Sequence, residues 1–337
     1  MKITVLGSGA WGTALAMLLL ENGNDVTLWS YTEEESKVLR ETHENPMLKG
    51  VPLPEELKFT TDMAAVKGCG LVVVATPSFA VRATAAKLKE LADPGTILVS
   101  VSKGIEKDTS LRLSQVIEQE VEGRCPVVVL SGPSHAEELS RGIPTVLAAA
   151  SHSLAAAQQV QELTEGTHIR IYTNDDLMGV ELGGALKNVI AFASGVIDGM
   201  GYGDNTKAAL MTRGLTEIAR LGTRMGARAE TFAGLAGVGD LIVTCCSQHS
   251  RNHRCGVYVG EGLTVKEAIA KVGMTVEGVT AALCAHELAE KLGVEMPITE
   301  QIYRLIEGEV TARQAVAALL GRPQRHESET NWLGEIG

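Results

Sequence analysis

Residues 2–23 read KITVLGSGAWGTALAMLLLENG, and this stretch decides the fold. A short apolar run over residues 2–6 ends in a glycine-spaced turn and passes directly into a segment of helical periodicity. Strand, glycine turn and helix in that order are the context in which GxGxxG signals a dinucleotide-phosphate turn. Gly7 would make the sharp turn, Gly9 would admit a pyrophosphate to the backbone N–H groups, and Gly12 would let the helix pack on the sheet. Outside that context the same spacing is weak, because an α/β turn that binds no nucleotide can carry it.

A second strand over residues 25–29 ends in Ser30 and Tyr31. An NAD-selective site usually places an acid there and an NADP site often an arginine; neither is present, so the choice between NAD and NADP stays open. Glu33, Glu34 and Glu35 follow, but they suit the first turn of a helix started by Thr32 better than a ribose contact. After a connection carrying Pro46, Pro52 and Pro54, buried-strand runs recur at 71–75, 96–101, 127–130, 145–149 and 169–172 between helical segments. The pattern predicts an α/β, Rossmann-type doubly wound, mostly parallel sheet. Ligands of such sheets gather outside the carboxyl ends of the strands, where residues 76–78 (TPS), 102–104 (SKG) and 131–134 (SGPS) fall.

From Asp175 onward strand signals stop and helical ones dominate. The predicted domains are therefore 1–174, dinucleotide-binding, and 175–337, an all-helical substrate and catalytic domain whose last residues, 321–337, form a mobile tail. The second domain opens with residues 181–199, ELGGALKNVIAFASGVIDG. Gly184, Lys187, Ala191, Ser194 and Asp198 share one helical stripe, so a long cation stands among residues with almost no side chain. Paired glycines weaken a helix by about 1 kcal/mol each, which suggests that something needs a close approach there. The plain alternative is tight helix packing with Lys187 snorkelling to water. Residues 201–204 read as a turn, and Asn205 as a cap for a helix over 206–226.

Composition bounds the function. A net charge of −11 argues against nucleic acid or an anionic membrane as partner, so an anionic substrate would need local cations such as Lys103, Lys187 and Arg251. Six cysteines show neither a CxxC pair nor a disulfide framework, which points to reduced thiols in a cytoplasmic protein and to no metal site. The chain opens on a strand without a signal-like segment, and no apolar run reads as long enough to span a bilayer. The expected assembly is a homodimer.

The segments GALKNVIAFASGVIDG (184–199) and GDNTKAAL (203–210) closely resemble the signature of the NAD(P)-dependent glycerol-3-phosphate dehydrogenases in their bacterial form. The likeness runs through both halves in the family's order. It implies that Lys187 transfers the proton and that Asn188 lies beside the substrate. It places Lys103 at the substrate and the nicotinamide side, Gly132 and Ser134 along the substrate, and Ala136 at the cofactor. Ala10, Trp11 and Tyr31 would border the cofactor too; some relatives carry serine at the Ala10 position, so one hydroxyl contact would be missing.

Asp240 and Thr244 are one helical turn apart and can share a face, and Asp240 has an ordinary reading as a helix N-cap. The resemblance implies more: Asp240 pairs with or orients Lys187, Thr244 lies in the site, Ser250 borders the substrate, and Arg251 with Asn252 holds its phosphate. Arginine suits that task because its planar fork donates two parallel bonds to phosphate oxygens. Arg251 would also touch the cofactor, as would Thr275 and Glu277 of the TVEG loop. Cys245 and Cys246 read as small hydrophobes rather than nucleophiles.

The implied reaction is reversible reduction of dihydroxyacetone phosphate by NADH or NADPH, giving sn-glycerol 3-phosphate for phospholipid synthesis. A ketone receiving hydride becomes an alkoxide, and a lysine supplies both the proton and a positive charge. In the reverse direction that lysine must accept a proton, which needs its pKa to fall from about 10.4 through desolvation or a second cation such as Lys103, while Asp240 opposes the fall. The alternatives are a two-domain reductase of another small keto or hydroxy acid, of hydroxyisobutyrate or ketopantoate type, and a non-catalytic NAD(H) sensor.

Overall fold

A computed structural model describes residues 1–324 and Glu327. Most of the predicted tail over 321–337 lies outside the described residues. The chain divides into two compact units, Met1–Lys103 with Leu111–Leu177, and Gly104–Ser110 with Met178 onward.

The first unit is an eight-stranded sheet. Its strands are β1 Lys2–Leu6, β2 Asp25–Trp29, β3 Lys58–Thr60, β4 Leu71–Val74, β5 Ile97–Ser100, β6 Val127–Ser131, β7 Thr145–Ser151 and β8 Ile169–Asn174. The spatial order is β3-β2-β1-β4-β5-β6-β7-β8. Every pairing is parallel except β6 with β7, which is antiparallel. The mostly parallel, doubly wound sheet read from the sequence is therefore present. Burial explains its order: β4, β5 and β6 are buried along their whole length, while β8 alternates and β3 is partly exposed, as edge strands must be. Alternate residues serve two cores. Ile3, Val5, Leu71 and Val73 pack on one face with Leu15, Leu18 and Val160, and Leu6, Val72 and Val74 on the other with Leu88, Leu113 and Val116.

Strand β3 was not anticipated, because three residues with no alternation give no period. The helix Glu33–Thr42 starts in a capping box between Thr32 and Glu35, so the three glutamates occupy its first turn as the helical reading required.

The second unit is helical around Leu177–Gly199, whose residues 181–197 are all buried. Its close neighbour is the helix Arg251–Gly260, and glycines permit the contact. A Cβ on Gly195 would overlap the carbonyl oxygen of His253, one on Gly199 that of Val257, and one on Gly256 that of Phe192. Two GxxxG stretches thus face each other, backbone to backbone. The glycines of this helix do serve close approach.

Two expectations are corrected here. The stretches Leu177–Gly199 and Ala229–Cys246 are long and apolar enough to cross a bilayer, contrary to the sequence reading. The apolar window of the first is wholly inside the protein, so its hydrophobic surface is already used by the core. The helix after the 201–204 turn runs Asp204–Met225 and is capped by Gly203, not by Asn205; Gly203 makes no side-chain cap, and Asp204 supplies a negative charge in the first turn instead.

Candidate active site

In the first unit the glycine turn behaves as its spacing demands. Gly7 has φ +123°, and a Cβ there would lie 2.6 Å from the Ala75 oxygen, while a Cβ on Gly12 would overlap the Gly7 oxygen. Nothing lies within 4 Å of a Cβ built on Gly9. The helix Ala10–Glu21 starts there with no side-chain cap, so its first N–H groups and positive dipole end are available to an anion. Ala10 and Trp11, half-buried, form its first turn.

Buried hydroxyls of Ser30, Thr76, Ser100 and Ser131 sit at or just past the ends of β2, β4, β5 and β6 and have no hydrogen-bond partner. Unpartnered buried hydroxyls are costly, and four along one sheet edge suit a polar ligand. Together with the open space at Gly9, they fit a dinucleotide. Tyr31, 79% exposed, stands edge-on to Trp29 at 6.2 Å between ring centres.

Lys103 lies in the loop after β5. Its Nζ donates to the Gly132 oxygen at 3.1 Å and to Ser134 Oγ at 3.2 Å, and Ser134 Oγ donates to the Gly132 oxygen at 2.8 Å. Gly132 has φ +141°, which turns the chain after β6 toward this cluster. Ala136 is buried at the start of the short helix Ala136–Leu139. Lys103, Gly132 and Ser134, drawn from two loops, are thus brought together by the sheet's carboxyl edge.

In the second unit Lys187 is 5% exposed and Asp240 1% exposed. The Lys187 Nζ donates to Asp240 Oδ1 in an ion pair, and to Thr244 Oγ1 at 2.6 Å. Thr244 Oγ1 in turn donates to the Asp240 main-chain oxygen at 2.6 Å. Burying an amine and a carboxylate is expensive unless they meet directly with further hydrogen bonds, and here both conditions hold. Lys187 does not snorkel.

The local fold accounts for the meeting. A π-helical turn, Leu235–Gly239, precedes the helix Asp240–Cys246, so Asp240 begins a new helix rather than capping one. Gly183, one turn before Lys187, lets that turn approach: a Cβ on it would lie 2.6 Å from the Ala236 oxygen.

A second cluster adjoins in sequence. Asn252 Nδ2 donates to Asn188 Oδ1 at 2.9 Å, and the Gly278 N–H donates to Asn252 Oδ1 at 2.9 Å. Ser250 is the N-cap of the helix Arg251–Gly260, its Oγ accepting from the His253 N–H at 3.2 Å. Arg251 is exposed at the helix's first residue, Thr275 is exposed, and Glu277 is half-buried at the start of Glu277–Leu292. The Asn188–Asn252–Gly278 chain was not anticipated from the sequence; the glycine after Glu277 was its one visible trace. Burial pushes the thiols of Cys245 to about 12 and of Cys255 and Cys284 to about 11, which leaves them inert as nucleophiles. All six cysteines are free.

A dinucleotide turn on a doubly wound sheet, with a helical unit that holds a buried amine against a carboxylate, defines the class of two-unit nicotinamide-dependent oxidoreductases. Family models narrow it. Residues 2–157 match the N-terminus of NAD-dependent glycerol-3-phosphate dehydrogenase and residues 176–317 its C-terminus. The chain belongs to that family. It is 52% identical to the NAD(P)+ glycerol-3-phosphate dehydrogenase of Bacillus pumilus over 97% of this chain and 96% of that one. It is also 52% identical to the corresponding protein of Moorella thermoacetica, over 98% of each chain. The crystal structure of glycerol-3-phosphate dehydrogenase from Coxiella burnetii superposes with a TM-score of 0.91 at 40% identity, covering 95% of this chain and 98% of that one.

Proposed function

We propose that this protein reversibly reduces dihydroxyacetone phosphate to sn-glycerol 3-phosphate with NADH or NADPH, providing glycerol phosphate for phospholipid synthesis. The observation that carries the reading is the buried Lys187 amine between Asp240 and Thr244, in a chain of this family. The names of the relatives support either cofactor. A homodimer in the cytoplasm belongs to the same proposal, and light scattering would read it as twice the 35.6 kDa chain mass.

When bound, the reduced nicotinamide supplies the hydride. Residues Gly7, Gly9, Ala10, Trp11 and Gly12 would hold the dinucleotide's phosphates, with Tyr31, Ala136, Thr275 and Glu277 at its borders. Lys187 donates a proton from Nζ to the substrate oxygen as negative charge develops there. Asp240 and Thr244 both accept from that amine, which fixes its direction and keeps it a donor. Lys103, Gly132, Ser134, Asn188 and Ser250 would line the substrate, and Arg251 with Asn252 would hold its phosphate.

Oxidation of NADH and NADPH should be followed with dihydroxyacetone phosphate and with dihydroxyacetone. Strong preference for the phosphorylated ketone is expected. Preferred turnover of ketopantoate or of a hydroxyisobutyrate-type acid would overturn the substrate, and cofactor binding without turnover of any of these would favour a sensor.

A further inference from the structure

Asp198 lies on the same helical stripe as Lys187, eleven residues further along, yet the proposed chemistry gives it no task. It is nonetheless engaged. Its Oδ2 receives His253 Nε2 at 2.7 Å and Lys207 Nζ at 2.7 Å, so two nitrogen groups meet on one carboxylate oxygen. His253 is 8% exposed and directly follows Arg251 and Asn252 in the first turn of their helix. The backbone oxygen of His253 also rests against Gly195, where a side chain would not fit.

That first turn is therefore tied to the Leu177–Gly199 helix on two sides. Asn252 bonds Asn188 on one side, and His253 bonds Asp198 on the other. Arg251 stands at the start of the turn so fixed, and an exposed arginine gains most from a backbone that is already oriented, because less freedom is lost when an anion binds.

We propose that His253 and Asp198 are positioning residues for the substrate's phosphate, fixing through their partly buried contact the helix turn that presents Arg251 and Asn252. Neither touches the reacting atoms. The role rests on the proposed reduction of dihydroxyacetone phosphate. Lys207 completes the cluster by holding the carboxylate from the following helix, Asp204–Met225.

The test is steady-state kinetics of the full chain with dihydroxyacetone phosphate, with dihydroxyacetone, and with varied NADPH. His253→Ala should raise KM for the phosphorylated ketone about tenfold, with kcat and the KM for NADPH close to wild type. The deficit should vanish with dihydroxyacetone, which has no phosphate to position. His253→Gln, whose amide nitrogen can still reach Asp198, should recover most of the loss.

A general loss of packing would instead lower kcat and affect both ketones and the cofactor alike, and that result would overturn the role. If His253→Ala does not fold, Asp198→Ala replaces it, removing the oxygen that His253 meets. A raised KM for the phosphorylated ketone at retained kcat supports the role, and an unchanged KM overturns it. A wild-type enzyme inactive on dihydroxyacetone phosphate would remove the activity and this role together. An active wild type with normal KM in the variants would remove this role alone.

Discussion

Lys103 and Lys187 are both assigned to the same chemistry, yet the two units hold them in opposite ways. Lys103 sits half-buried in a loop at the sheet's carboxyl edge and donates to neutral oxygens, a carbonyl and a hydroxyl. Lys187 is buried in the middle of a helix and donates to a carboxylate and a hydroxyl. A carboxylate beside a buried amine fixes the direction of its N–H groups and offsets the cost of burying its charge, a need that a half-buried loop lysine does not have. Under the proposed reaction the difference divides the tasks: the loop lysine of the first unit would draw in the substrate, and the helix lysine of the second would place one proton.

The sharpest way to break that contrast is to remove the carboxylate. Asp240→Ala strands a buried amine, so it should cost about 3–5 kcal/mol of stability and lower kcat about a thousandfold. Denaturant unfolding and turnover at saturating substrate check both, and a kcat within tenfold of wild type would show that Lys187 needs no orienting partner.

Glycine substitutions sharpen the contrast next, because the two units use glycine differently. Gly195→Ala drives a methyl group into the His253 carbonyl and should destabilise by about 3 kcal/mol. Gly9→Ala meets open space, so its melting temperature should stay near wild type while NADPH binding weakens, since the methyl would stand where the phosphates approach. Equal melting temperatures for the two variants would contradict the packing account.

Arg251→Ala comes third. A charged hydrogen bond to phosphate is worth roughly 2 kcal/mol, so KM for dihydroxyacetone phosphate should rise about thirtyfold with kcat little changed. An unaltered KM would place the phosphate elsewhere.

The smallest effect concerns Glu217, a buried acid of the second unit. Its carboxylate accepts from the N–H groups of Ile298 and Thr299 at the start of the helix Pro297–Ile306, yet burial outweighs them and raises its pKa to about 7. A raised acid pKa means that the folded state holds a proton the unfolded state has released. The contribution is complete below about 4.5 and is lost as pH rises through 7. Between pH 6 and 7.5 the loss should be on the order of 1 kcal/mol, and Glu217→Gln should lack that component of the slope. Identical pH dependence of stability in both proteins would show that Glu217 is ionised throughout.

Much of the first unit was legible because its physics is local. A buried parallel strand writes a continuous apolar run, and β1 and β2 carry the limits their sequence suggested. Strand β3 and the antiparallel β6–β7 pairing were not legible, since pairing direction depends on where a chain returns rather than on its composition. In the second unit the glycines around Lys187 did announce an unusual lysine. Its partner, 53 positions away, came from family resemblance and not from any spacing, and the π-helical turn that delivers Asp240 left no period to read. The bond between His253 and Asp198 was equally silent: a histidine inside an amphipathic helix and an acid at the end of another look ordinary until the helices cross.

One comparison of variants tests the division between the lysines most directly: turnover of dihydroxyacetone phosphate by Lys187→Ala and by Lys103→Ala at saturating substrate, with NADPH binding followed by fluorescence. Lys187→Ala should bind NADPH normally and lose kcat about a thousandfold or more, while Lys103→Ala should keep a much larger share of kcat and lose mainly affinity. Turnover by Lys187→Ala within tenfold of wild type, or a loss shared equally by the two variants, would contradict the account.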